Sequence, residues 1–106
     1  MAKFMAKAKY TAAGVKGVLS EGGSARVAAI TKLTESMGGK VEAFYFAYGG
    51  ADAYVIVDVA DEANALALSL AVNASGVVTL ELVPLLTAQQ MDAATKKTVA
   101  YRAPGA

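Results

Sequence analysis

The sequence predicts an α+β sandwich in which one antiparallel sheet of four strands carries two helices on one face, in the order β-α-β-β-α-β. Three observations predict it. Four segments alternate or run together apolar residues as strands do, and two segments between them repeat apolar residues at helical spacing. The central pair of strands is separated only by a short glycine-rich link, as in a hairpin. Right-handed crossovers then interleave the strands in the sheet order four, one, three, two.

Lys3 to Tyr10 alternates lysine with small or aromatic residues, the period-two signature of a strand. Thr11 to Gly23 holds four glycines and reads as a loop with one turn of helix around Val15 to Leu19. Ser24 is the expected N-cap of the first full helix, because Val27, Ile30, Leu33 and Met37 follow at helical spacing until Gly38-Gly39 stops it. Val41 to Tyr48 and Asp52 to Val59 read as the hairpin strands. Asp61 caps a second helix to about Ser75, Gly76 ends it, and Val77 to Leu86 is the fourth strand. Thr87 with Gln90 has capping-box spacing for a short last helix to about Lys97, before a tail. This is the ferredoxin-like order. It places one domain over residues 1–106, with its core in 2–92 and a C-terminal helix and tail in 87–106.

Composition removes many chemistries. The 106 residues include no cysteine and no histidine, so thiolate nucleophiles, zinc-sulfur sites and the commonest general base are missing together. A net charge of +1 gives no basic field for nucleic acid or an anionic membrane. The glycines form neither a phosphate-binding loop nor a dinucleotide fingerprint, and lysines interleaved with Glu42, Asp58 and Glu81 argue against a metal. We therefore expect no cofactor. Lys3, Lys7 and Lys9 interrupt what a signal peptide would keep apolar, which points to the cytoplasm.

Alternation sorts each strand into two faces. Phe4, Ala6, Ala8 and Tyr10 belong under the helices with Val41, Ala43, Tyr45 and Ala47, with Ala53, Val55, Val57 and Val59, and with Val78, Leu80 and Leu82. A three-residue loop at Gly49-Gly50-Ala51 sets Tyr48 opposite Asp52, Phe46 opposite Tyr54, Phe44 opposite Ile56 and Glu42 opposite Asp58. Lys3 is expected between those last two carboxylates, and Lys7 against Glu81. The other face then carries Met5, Phe44, Phe46, Tyr54, Ile56, Val83 and Leu85, too much apolar surface for water. A hydrophobic content of 56% with 18% charged residues agrees. A homodimer or larger homo-oligomer is therefore expected, with these residues at the seam. Leu66 and Leu70 on one side of the second helix, with Leu68 and Val72 on the other, ask for two neighbours.

Thr11, Gly14-Val15-Lys16, the helix end Met37-Gly38-Gly39-Lys40-Val41, and FYFAYGGAD running into AYVIVDVAD together resemble the GYD-domain proteins, small bacterial members of the dimeric α/β-barrel group. The resemblance spans about residues 2–92. Their Gly-x-Tyr-Asp motif reads Gly49-Gly50-Ala51-Asp52 here, with Ala51 in place of the tyrosine. It implies a dimeric barrel and no settled activity.

Candidate ligand-binding residues are Tyr10, Lys16, Arg26, Tyr45, Tyr48 and Asp52. Tyr10 and Tyr45 are expected to face an interior cavity, or else to be hydrogen-bonded core tyrosines. Lys16 lies among glycines, and Arg26 sits in the first helical turn, where a cation opposes the helix dipole. Asp52 is expected to accept amides of its own loop in an Asx-type turn, with Tyr48 and Lys9 nearby. The leading reading is a ligand-binding homo-oligomer. The alternative is a cofactor-independent monooxygenase or isomerase acting on an aromatic substrate, which would have to work through the tyrosines, Lys16, Arg26 or Asp52. A third, RNA binding on the open sheet, lacks the aromatic pattern that RNA-recognition domains use.

Overall fold

A computed structural model describes residues 2–106. Its elements are β1 (Ala2–Tyr10), α1 (Ala12–Glu21), α2 (Gly23–Ser36), β2 (Lys40–Phe46), β3 (Ala53–Val59), α3 (Glu62–Ala74), β4 (Val78–Leu85) and α4 (Ala88–Thr95). The sheet is antiparallel in the order β2-β3-β1-β4, the expected ferredoxin-like arrangement. Asp61 N-caps α3 by accepting from the Asn64 amide at 2.9 Å. Thr87 and Gln90 form the full capping box at α4. No helix among the described residues is long and apolar enough to cross a membrane.

The glycine-rich segment after β1 is a helix, not a loop. Thr11 caps α1 by accepting from the Gly14 amide, and its own amide donates to the Val77 carbonyl at 3.0 Å. Gly14 is buried because α1 presses against the start of β4; a Cβ there would collide with the Val77 carbonyl oxygen. The glycines lower helix propensity, but close packing onto the sheet outweighs it. The N-cap of α2 is Gly22 rather than Ser24. At φ +83° Gly22 turns the chain directly from α1 into α2, with no linker for a serine cap to close.

The hairpin register also differs from expectation. Phe46 pairs with Ala53, Tyr45 with Tyr54, Phe44 with Val55 and Ala43 with Ile56, and the register shifts between Val41 and Ala43. Glu42 is the extra residue of this bulge. An inserted residue reverses the inside-outside parity of everything beyond it. Phe44 and Phe46 therefore lie on the helix side, their rings 5.0 Å apart, with Phe46 against Gly23 at the margin of the sheet. Ala43 and Tyr45 pass to the open face. Strict alternation from Val41 could not reveal this, because aromatic residues occupy both parities of the strand.

The core lies between sheet and helices. Phe4, Ala6, Val55, Val57, Val59 and Ala65 form its larger cluster, with Ile30, Val41, Phe44, Leu80 and Leu82 packed against it. Leu68 faces inward while Leu66 and Leu70 are exposed, so α3 is apolar on a side its own chain leaves uncovered.

Candidate functional site

Helix-side residues of the strands build the floor of a cavity. Ala6 and Ala8 of β1 and Ala53 of β3 stop at Cβ, while Ile30 and Thr34 of α2 and Leu68 and Val72 of α3 close it from above. Three alanines at neighbouring inward positions leave space that larger residues would fill. The cavity measures about 40 Å³ and its wall is almost wholly apolar. Thr34 is fully buried, but its hydroxyl is satisfied, donating to the Ile30 carbonyl at 2.8 Å.

Two polar groups break that wall, Tyr10 and Arg26. Both also line an adjoining concavity of about 120 Å³ formed with Gly14, Gly17, Val18, Glu21 and Val77. They thus stand where the inner cavity meets a wider vestibule. Arg26 is half-buried. Among the described residues no carboxylate lies within ion-pairing distance of its guanidinium, Glu21 included. A third concavity, between α2 and α3, is bordered by Arg26 as well.

Asp52 acts on this site through the backbone. β1 and β3 pair only as far as Ala8 with Ala53, so the Tyr10 amide lies past the end of that ladder. The Asp52 carboxylate accepts from this amide at 2.9 Å, and the Asp52 amide donates to the Ala8 carbonyl at 2.7 Å. Lys9 adds an ion pair at 3.3 Å. In place of the expected Asx-type turn there is a clamp on another strand, because the link after β2 folds back to lie beside β1. The Tyr10 amide bond, with help from Lys9, holds the Asp52 carboxyl below its ordinary range. The clamp fixes the backbone position of Tyr10.

The other candidates do not join this group. Lys16 is exposed on α1 and lines neither the cavity nor the vestibule. Tyr48 is fully exposed. Tyr45 is on the open face, 73% exposed, because of the bulge at Glu42. Tyr10 and Tyr45 lie on opposite faces of one sheet and cannot serve one site within a chain. The cavity itself is readable in principle from Ala6, Ala8 and Ala53, inward positions where strands ordinarily place larger residues.

On the open face Lys3 bridges Glu42 and Asp58, the latter at 3.2 Å, as expected from the strand order. Hydrogen bonding to Glu42, then to Asp58, raises the Lys3 pKa above its ordinary value. Lys7 faces Glu81 at 4.0 Å. Around these charges Met5, Tyr54, Ile56, Val83 and Leu85 are each half-covered by their own chain and none is fully buried. Phe44 and Phe46, expected among them, are on the helix side instead.

A four-stranded antiparallel sheet in the order β2-β3-β1-β4, with α2 and α3 packed in one layer over the cavity, defines the class: a ferredoxin-like α+β domain. The chain belongs to the GYD domain family, whose model matches residues 4–95. No curated protein and no solved structure matches it. Ala51, next to the Asp52 clamp, is buried.

Proposed function

We propose that this protein is a homo-oligomer that binds a small organic ligand between its sheet and its helices. The observation that carries the reading is the alanine-floored cavity under α2 and α3, open through Tyr10 and Arg26 to the vestibule. A well-packed core of this size leaves few voids, and an apolar one stays dry and receptive to an apolar group.

Assembly is supported by apolar surface that the chain cannot cover. Besides the open sheet face, Val15, Leu19, Leu66 and Leu70 are exposed on the helices and Leu86, Met91, Val99 and Tyr101 on the C-terminal arm. A helix as short as α4 is marginal in water unless packed, yet none of its residues is buried. A second copy offers matching surface for the sheet face, with the lysines and carboxylates of each copy available to the other.

Native mass spectrometry of the protein purified without refolding tests both parts together. The expected spectrum is an oligomer whose subunits carry, in part, an added small organic mass that is lost on activation. An oligomer that takes up no small apolar compound under any loading would overturn the ligand-binding reading.

A further inference from the structure

We infer that the cavity accepts the tail of a short aliphatic carboxylate whose anionic head is held by Arg26 and Tyr10. The inference rests on the ligand-binding reading above and gives its ligand a chemical class.

The shape of the site is that of an amphiphile. Its inner part has no polar atom in need of a partner, since the Thr34 hydroxyl is already bonded to the Ile30 carbonyl. Its polar residues that also line the vestibule, Arg26 and Tyr10, stand on the rim the two spaces share. Neither makes a side-chain hydrogen bond among the described residues. A half-buried guanidinium at the edge of an apolar cavity, with no carboxylate at ion-pairing distance among the described residues, favours an anion. Its planar fork matches a carboxylate with two parallel hydrogen bonds. Tyr10, which lines the same two spaces, has a phenol hydroxyl to offer as one neutral donor.

Volume decides the tail. The inner cavity measures about 40 Å³. On the same measure a water needs roughly 10 to about 15 Å³, so the space takes about three methylene-sized groups. The six carbons of an aromatic ring exceed that space. A straight chain enters end-on, and the carbons nearest its carboxylate would lie at the boundary with the vestibule. Glu21 also lines the vestibule, which disfavours a second negative charge on the ligand. A monocarboxylate is therefore preferred to a dicarboxylate.

The test is titration of the full-length oligomer with butyrate, hexanoate, decanoate, adipate and hexanol, followed by calorimetry and amide NMR. Affinity is expected to rise about fourfold per methylene from butyrate to hexanoate and then to level off, as added carbons find no further cavity. Hexanoate should bind at least about tenfold more tightly than hexanol, with the advantage lost in Arg26→Gln and partly kept in Arg26→Lys. Shifts should centre on Ala6, Ala8 and Tyr10. Each variant's NMR spectrum reports whether it is folded. Equal binding of hexanoate and hexanol at these residues would overturn the carboxylate assignment and leave the ligand-binding reading standing. No shift at these residues with any of the five compounds would overturn the inference, and the ligand-binding reading falls with it if native mass spectrometry also shows no uptake of any small apolar compound.

Discussion

Asp52 shows how one side chain can be placed by topology rather than by its own turn. Its carboxylate holds the last amide of β1, and the depressed pKa that results links stability to pH. A group whose folded pKa lies below its unfolded value, about 3.8, stabilises above that value and loses the contribution as pH falls through the folded pKa. Asp52→Asn should therefore melt below the parent protein at neutral pH, and the gap should close on acidification; melts across the acid range check it. Lys3 has the opposite sign. Its raised pKa means a contribution fully present below the ordinary lysine value and lost as pH rises through the folded one. Lys3→Met leaves the buried Asp58 without its cation, so it should lower the melting temperature, and adding Asp58→Asn should restore part of the loss. Thermal melts of the single and double variants decide this.

At the scale of elements, packing overrides local preference in α1. Gly14→Ala should destabilise the protein by about 1 to about 3 kcal/mol, because the methyl group has no room against the Val77 carbonyl. Gly17→Ala, almost one turn on, meets nothing within 4 Å. It should instead stabilise α1 by roughly 0.5 to about 1 kcal/mol. Denaturant unfolding of the pair separates a glycine kept for contact from one that is merely tolerated. This contrast also marks what is legible in the sequence. The order of strands, the full helices α2 and α3, the caps at Asp61 and Thr87 and the Lys3 bridge follow from periodicity and side-chain chemistry. The helix α1 does not, because four glycines look the same whether they loosen a loop or admit a close approach. Nor does the bulge at Glu42, since a single inserted residue leaves no periodic trace in a strand as short as β2. Of the site, Tyr10 and Arg26 are legible as candidates, while strict alternation puts Tyr45 on the wrong face through the same unseen bulge. Asp52 stands out by its position in a hairpin, but its partner on β1 follows only from the assembled sheet.

The whole molecule is drawn out where a solitary domain would be round. Its radius of gyration is 16.9 Å and its longest axis 56 Å. A compact domain of this length has a radius of about 13 Å. The excess belongs to the C-terminal arm, none of whose residues from Thr87 onward is buried. Completing the burial of five half-covered side chains on each of two sheet faces contributes about 10 kcal/mol. That is of the same order as the cost of bringing two chains together, roughly 4 to about 15 kcal/mol. The sheet face alone is thus near balance, so the proposed assembly requires further burial, for which the exposed arm and the outer side of α3 offer apolar surface. Ile56→Asp, at the middle of the open face, should shift the protein to monomers, whereas Leu19→Asp on the outside of α1 should leave a sheet-to-sheet dimer intact. Sedimentation of the two variants distinguishes this seam from one on the helices. The most direct measurement is the mass of the unaltered protein at micromolar concentration, by light scattering or sedimentation equilibrium. We expect a multiple of the 10.8 kDa chain at every concentration in that range; a stable particle of 10.8 kDa, with its open sheet face in water, would contradict it.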